Sequence, residues 1–325
     1  MIIVEAFQFT NAGSFTLPAI TVIIPVLNAM PYLPVALASL EAQTLRDFEV
    51  LLWDNGSSDG SIEEARRWIP SRLPGRVVVD RPLPFHECLA AMVQECSTTF
   101  IARMDGDDIC RPDRLRCQMH LLIDNPNVGA VGGQCPMIDA SGIPTDSSHP
   151  GPIKHDDIMT EMMFHSALTH PALMFRREEV LRAGNYAYPK PVEDLDLYLR
   201  MASFCEFHNL NIPVLDYRLH KKSICQTHAK EQQQLMVKIV ESYAEKVYGM
   251  SAFSYNRLRQ KRSKISMVLL LRSAFFRSQG NPSRLLKILL SPSFVYVGRC
   301  LTGRHDYISK ASFRVLELLT FMASE

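Results

Sequence analysis

Three absences narrow what this 325-residue chain can be. Its eight cysteines, at positions 88, 96, 110, 117, 135, 205, 225 and 300, show neither CxxC spacing nor dense clustering. Neither a thiolate zinc site nor a disulfide framework is indicated, and reduced thiols fit a cytosolic protein. No apolar run reaches the roughly 18 residues of a membrane-spanning helix. The opening Met1-Ile2-Ile3-Val4-Glu5 lacks the basic start, apolar stretch and small-residue cleavage site of a secretory signal. The expected location is cytoplasmic.

What is present is an ordinary core-forming composition, 47% hydrophobic and 21% charged, sufficient for one large domain or two smaller ones. The net charge of +1 conceals a split. Residues 251–325 hold 13 Lys and Arg against three acids, a net of +10, whereas residues 1–250 hold 22 basic and 31 acidic groups, a net of −9. Such asymmetry implies two regions with different work to do.

The β-branched run Ile20-Thr21-Val22-Ile23-Ile24-Pro25 predicts a strand buried on both faces, as in parallel sheets. A helical pattern follows from Tyr32 to Gln43. The strand signal returns in Phe48–Trp53, which ends in the polar turn Asp54-Asn55-Gly56-Ser57-Ser58-Asp59-Gly60 and leads to an amphipathic helix ending near Ile69. Val77–Val79 and Phe100–Ala102 read as further strands, with a helix over His86–Cys96 between them. This alternation predicts a doubly wound parallel sheet with Pro25, Asp54 and Asp105 at one edge. Further strands are expected at Val128–Gly133, Ala172–Phe175 and Val214–His220, with a mobile loop over Ser141–Pro152.

Asp105-Gly106-Asp107-Asp108 places three carboxylates behind the Phe100–Ala102 strand, at the sheet edge where open α/β folds bind ligands. A bend at Gly106 would turn Asp105 and Asp107 toward one hard cation, which prefers oxygen ligands and shares them with substrate phosphates. The competing reading is that Asp107 or Asp108 caps a helix starting near Arg111-Pro112. A second acidic group, Glu193-Asp194, opens another helical pattern.

Four segments, Ile20–Asn28, Asp54–Ser61, Ala102–Asp108 and Glu193–Leu197, together with His170-Pro171 and Tyr217-Arg218-Leu219-His220, resemble family 2 glycosyltransferases in order and spacing. The resemblance covers residues 20–228. It implies an α/β GT-A fold, a Rossmann-like, mostly parallel sheet flanked by helices. A nucleoside-diphosphate-sugar donor, a divalent metal (Mg²⁺ or Mn²⁺) and inversion at the anomeric carbon are implied as well. By that resemblance Asp107 and His220 serve the metal and diphosphate, and Asp105 the ribose or the metal through water. Arg103 approaches the donor, unless it merely pairs with a neighbouring Asp. Pro25 and Leu27 line the nucleotide site; Leu27 stands where relatives often stack an aromatic ring on the base. Asp54 accepts the uracil N3–H, or is only turn chemistry. Asp194 is the general base, which inversion requires on the face away from the leaving diphosphate; it also suits the dipole of a helix N-terminus. Asp108 keeps the helix cap or an accepting role beside the metal, Asp196 a structural role. His170 and Arg176-Arg177 are expected at acceptor or phosphate, or on a solvated rim.

The implied organisation is an N-terminal segment (1–19), a catalytic domain (20–228) and a basic helical C-terminal region (229–325). The catalytic domain divides into a nucleotide-sugar-binding half (20–133) and an acceptor half (134–228). The acceptor expected is a saccharide or lipid-linked saccharide of a bacterial-type surface polysaccharide or lipopolysaccharide. The Gln-x-x-Arg-Trp motif of processive synthases is absent, so one sugar per encounter is expected. A sugar-phosphate nucleotidyltransferase would need a Gly-rich basic loop where Pro25-Val26-Leu27-Asn28-Ala29 stands. A degenerate transferase serving as a scaffold is disfavoured by the joint presence of Asp105, Asp107 and Asp194. Basic residues among bulky apolar ones in 251–325 suggest interfacial helices on an anionic membrane surface at the inner face, or a subdomain packed on the catalytic domain. No nucleic-acid motif accompanies them.

Overall fold

The computed structural model describes residues 19–145, 151–189, 191–221, 223, 229–260, 277–279, 281, 284, 285 and 288. Three parallel strands form the expected start: β1 (Ile20–Val26), β2 (Phe48–Asp54) and β3 (Gly75–Val79), interleaved with α1 (Leu33–Glu41) and α2 (Ser61–Trp68). After α3 (Phe85–Glu95) comes β4 (Phe100–Arg103), parallel to β1 on its other side. The chain continues through β5 (Ile109–Cys110), α4 (Arg114–Asp124), β6 (Val128–Gln134), β7 (Met137–Ile138), α5 (His155–Glu161) and a 3₁₀ turn at His170–Ala172. It then forms β8 (Met174–Arg176), α6 (Arg177–Arg182), α7 (Glu193–Met201), β9 (Glu206–Pro213), β10 (Leu215–Arg218), α8 (Ala229–Tyr248) and α9 (Ala252–Gln260).

Seven strands form one sheet in the order β3-β2-β1-β4-β8-β6-β9. It is not wholly parallel, because β8 runs antiparallel to both β4 and β6. This reversal brings the turn before β8 to the exit of β4, where the Arg103 N–H donates to the Leu173 carbonyl at 2.9 Å. The strand expected at Ala172–Phe175 starts two residues later, because Pro171 sits in the 3₁₀ turn. β9 lies outside the strands expected from sequence, and the Val214–His220 strand is limited to β10. The helix expected from Arg111-Pro112 starts at Arg114, after the Arg111 N–H has donated to the Val214 carbonyl at 3.0 Å. Within the expected loop over Ser141–Pro152, Thr145 donates its N–H to Met137 O at 2.9 Å, and residues 146–150 lie outside the described set.

Period-two alternation divides the core between the two faces of the sheet. Ile23, Leu51, Trp53 and Ile101 pack with α3, α5, α7 and α8. Ile20, Val22, Ile24, Val50, Leu52 and Ala102 pack with α1, α2 and α4. A second sheet, β5-β10-β7, is small but consequential. β10 pairs antiparallel with β5 and parallel with β7, tying the segment behind the acidic cluster to the late Tyr217–His220 segment.

The described part of the C-terminal region is built into this core. Met236, Ile239, Val240, Ala244 and Val247 of α8 are buried against the α7 side, as are Tyr255, Leu285 and Ile288. Most of the basic residues expected to meet a membrane lie outside the described residues. Asp196 joins the helices: its Oδ2 accepts from Arg200 Nε and Nη2 at 3.0 and 2.6 Å, and its Oδ1 accepts from Tyr243 Oη at 3.0 Å. Asp196 therefore turns away from Asp194 and acts structurally, as its helical offset predicts. Asp196→Ala should lower the unfolding free energy in urea by about 2–4 kcal/mol, because it strands a mostly buried guanidinium. Tyr243→Phe should cost only about 1 kcal/mol. Equal effects would contradict this account of the α7–α8 contact.

Candidate active site

Parallel register decides where the chain exits the sheet. Val26 pairs with Asp54 and Ile23 with Arg103, so the loops after β1, β2 and β4 leave from one edge. The loops after β1 and β2 are fastened to each other. Asn28, at φ +54°, donates its N–H to Ser57 Oγ at 2.9 Å and accepts the Ser58 N–H at 2.9 Å on Oδ1. The Ala29 and Met30 N–H groups donate to Ser61 Oγ and Asp59 Oδ2 at 3.0 and 2.9 Å. Pro25 is buried within β1 opposite Trp53, whereas Leu27, at 58% exposure, stands out from this cradle.

Asp54 is fully buried at the end of β2. Its Oδ2 accepts the N–H groups of Gly56 and Ser57, both at 3.0 Å, as an Asx turn does. Its Oδ1 is buried with no hydrogen-bond partner. The turn reading therefore accounts for one oxygen and leaves the other, a costly state that marks an acceptor waiting for a donor. Asn55 clasps the next loop, donating from Nδ2 to Leu83 O and accepting the Leu83 N–H on Oδ1, both at 2.8 Å.

At the exit of β4, Arg103 Nη1 lies 2.6 Å from Asp105 Oδ2, with the guanidinium almost wholly buried. Burial works against that charge, but Asp105 more than offsets it and holds the arginine protonated. Gly106 lets the loop pass under the first cradle: a Cβ there would lie 3.2 Å from Ala29 Cβ. Asp105, Asp107 and Asp108 present carboxylate oxygens within 4.8 Å of one another. Burial, and after it the Asp105 charge, pushes the Asp107 carboxyl above its usual range; Asp108 is pushed well above its range by burial, Asp105 and Asp107.

Asp108 is not a helix cap. The residue before α4 is Asp113, while Asp108 Oδ1 accepts the Arg218 N–H at 2.8 Å and its Oδ2 is buried without a partner. His220 reaches the same cluster from the other half of the chain, with Nε2 2.8 Å from Asp107 Oδ2. A set of carboxylate oxygens joined by one imidazole, with crowded negative charge and an orphaned buried oxygen, suits a hard divalent cation. Sequence reasoning assigned only His220 in its segment and missed Arg218, whose burial among loop carbonyls leaves no local sequence signal.

Asp194 sits in the first turn of α7, partly exposed, its surroundings desolvated enough to push it up to about 6. The Leu195 N–H, donating to Oδ1 at 2.8 Å, and the Arg103 charge oppose that rise. Arg103 thus acts electrostatically on both the carboxylate cluster and Asp194. Beneath them His170 Nε2 lies 2.8 Å from Tyr186 Oη, and burial, with Arg103 adding to it, holds the imidazole neutral. His170 is therefore a buried core histidine rather than an exposed rim contact. Arg176 and Arg177 are also corrected: they bond carbonyls, Arg176 those of Val128, Leu122 and Asn125, and Arg177 those of Val93 and Gln94 at the end of α3.

With this geometry in hand, a family model described as Glycosyl transferase family 2 matches residues 21–183. The O-antigen biosynthesis glycosyltransferase WbnJ of Escherichia coli is 30% identical over 214 residues, covering 64% of this chain and 82% of that protein. Among solved structures, S. aureus TarS 1-349 in complex with UDP-GlcNAc aligns with a TM-score of 0.54 and 14% identity over 91% of each chain. The mannosyltransferase PcManGT of Pyrobaculum calidifontis, in complex with GDP-Man and Mn²⁺, aligns with a TM-score of 0.53 and 17% identity, covering 93% of this chain and 88% of that one. These likenesses show the fold, a GT-A sheet of mostly parallel strands flanked by helices.

Crowding of the three carboxylates has a measurable consequence. Asp108→Asn keeps an oxygen for the Arg218 N–H while removing one of the repelling charges, so it should raise the melting temperature of the protein in EDTA at pH 7.5. A melting temperature below that of the parent would show that the Asp108 charge stabilises the fold.

Proposed function

The chain belongs to glycosyltransferase family 2, and we propose that it moves one sugar, with inversion, from a UDP-sugar to a saccharide or lipid-linked saccharide acceptor in polysaccharide biosynthesis. The observation that carries this reading is the alignment at one sheet edge of an unpartnered Asp54 oxygen and a three-carboxylate cluster, with Asp194 on α7 feeling the charge of the same buried Arg103.

Asp54 supports a uridine donor. Its Oδ2 is already taken by two N–H groups, leaving Oδ1 for one donor. Uracil presents a single N3–H, whereas guanine presents two adjacent donors. The two solved neighbours carry UDP-GlcNAc and GDP-Man on the same fold, so the base is a matter of such local chemistry rather than of the fold. Leu27 would lie against the base by apolar contact alone, and Pro25 would shape the floor below it.

Asp107 and His220, with Asp105 and Asp108 beside them, would hold Mg²⁺ or Mn²⁺. When bound, that ion neutralises charge on the departing diphosphate. Arg103 fixes Asp105 by an ion pair and keeps positive charge at the donor side. Asp194 accepts the proton of the acceptor hydroxyl as that oxygen attacks the anomeric carbon opposite the leaving diphosphate. The anomeric bond breaks as the new glycosidic bond forms, and the electron pair leaves on the diphosphate. At about 6, the Asp194 carboxyl is largely ionised at neutral pH while remaining a better base than an exposed aspartate.

Residues 20–228 would form the catalytic unit, with the donor bound by 20–133 and the acceptor by 134–228. No helix among the described residues is long and apolar enough to cross a membrane. A lipid-linked acceptor would be met peripherally, at the cytoplasmic face, through the basic residues of 251–325. Salt-sensitive co-sedimentation with anionic liposomes supports that attachment, and full recovery in the supernatant at low salt opposes it.

Three measurements test the reaction. A thermal-shift screen of nucleotide sugars with Mn²⁺ should give stabilisation by a UDP-sugar; stabilisation by guanosine donors alone would overturn the uridine assignment. Asp194→Asn should lower kcat by about 10²–10⁴-fold while leaving donor binding intact; unchanged turnover would remove Asp194 as the base. Because Asp194 acts in its ionised form, kcat/KM should be level above about pH 7, half-maximal near pH 6 and fall toward tenfold per unit below that. A profile without that acid limb would contradict the assignment.

A further inference from the structure

The metal ligands proposed above come from segments more than a hundred residues apart, and two residues with no assigned role hold them together. Arg218, at the end of β10, is 5% exposed yet bonds in three directions. Its N–H donates to Asp108 Oδ1 at 2.8 Å and its Nε to the Asp107 carbonyl at 2.7 Å. Its Nη1 donates to the Asp139 and Ala140 carbonyls at 3.1 and 3.2 Å, just after β7. The guanidinium also lies over the Tyr32 ring, 4.8 Å from its centroid. On that ring the His220 imidazole stacks at 5.0 Å and 28°, and its Nε2 meets Asp107 at 2.8 Å. The result is a closed circuit: Arg218 to the Asp107 main chain, the Asp107 side chain to His220, His220 to Tyr32, and Tyr32 back to Arg218.

Resting on the metal-site reading above, we propose that Arg218 and Tyr32 are positioning residues that preset the Asp107, Asp108 and His220 ligands for a divalent cation before any nucleotide arrives. The chemistry of each link supports this. A carboxylate pair pushed together repels, and the Asp107–Asp108 backbone needs donors to hold it in place; Arg218 supplies two, one to a side chain and one to a carbonyl. Its guanidinium fork suits this better than lysine, which has no Nε–H and no planar face for a ring. An imidazole just beyond the end of a strand loses side-chain rotational freedom on ligating an ion, and stacking on Tyr32 removes that freedom in advance. Arg218 also ties the loop after β7 to the acidic loop, so the second half of the chain completes a site whose carboxylates lie in the first.

The test is Mn²⁺ binding to the full-length protein without nucleotide, followed by calorimetry and by the Mn²⁺ electron paramagnetic resonance signal, for the parent, Arg218→Gln, Tyr32→Leu, Tyr32→Phe and Asp107→Ala. Arg218→Gln and Tyr32→Leu should each weaken Mn²⁺ binding about 10–100-fold, as loss of groups supporting metal ligands does. Tyr32→Phe, which keeps the ring, should bind as the parent does. The Tyr32 pair carries the test if Arg218→Gln does not fold. Mn²⁺ affinities within twofold of the parent for Tyr32→Leu, or for a folded Arg218→Gln, would overturn the inference provided that Asp107→Ala loses binding. Equal binding by the parent and Asp107→Ala would instead overturn the metal-site reading, and the inference with it.

Discussion

Mutual repulsion among Asp105, Asp107 and Asp108 is the constraint around which this site is built. Three carboxylates within 4.8 Å of one another, two of them held above their usual range by burial and by their neighbours, are an unfavourable arrangement for a fold to maintain. The surrounding structure maintains it with donors aimed from every side: Arg103 on Asp105, His220 on Asp107, and the Arg218 N–H on Asp108. Even so, Asp108 Oδ2 has no partner, so positive charge is still wanted there. A site poised in this way matches the demand of glycosyl transfer, in which a diphosphate gathers negative charge as the anomeric bond breaks.

The rest of the molecule fixes that cluster relative to Asp54 and Asp194, the other groups of the proposed site. Parallel pairing of β1, β2 and β4 brings Asp54 and the acidic loop to one edge. The reversed strand β8 brings the His170 turn under the same edge, and Arg114 donates to the Arg103 carbonyl at 2.7 Å from α4. The small sheet β5-β10-β7 closes the other side. Asp194 is approached from a different layer, by α7, which Asp196 and Tyr243 lock to α8. The acidic cluster and Asp194, the proposed donor and acceptor groups, thus stand on separately anchored elements, with the buried Arg103 charge felt by both.

Much of this was legible in the chain. The runs Ile20–Pro25, Phe48–Trp53 and Phe100–Ala102 announce buried strands because both faces of the sheet are covered, and their polar exits mark the binding edge. The direction of β8 was not legible, since a three-residue strand reads the same either way. β9 gives no strand signal because its last three residues, Asn211–Pro213, are exposed at the sheet edge and the strand lacks an apolar run. Of the two roles the sequence leaves to Asp108, the cap rests on its distance to Pro112; the two-residue β5 intervenes, and Asp108 instead accepts from Arg218. Arg176 and Arg177 show the same limit, because a basic pair looks solvated until the helix-end carbonyls that it meets are placed in space.

The most direct measurement is a crystal structure of the protein with UDP and Mn²⁺. The account predicts Mn²⁺ ligated by Asp107 and His220 between the protein and the diphosphate, with Asp54 Oδ1 accepting the uracil N3–H and Asp194 facing the sugar side across from the metal. Mn²⁺ bound away from Asp107, or a uracil ring placed elsewhere than against Asp54, would contradict it.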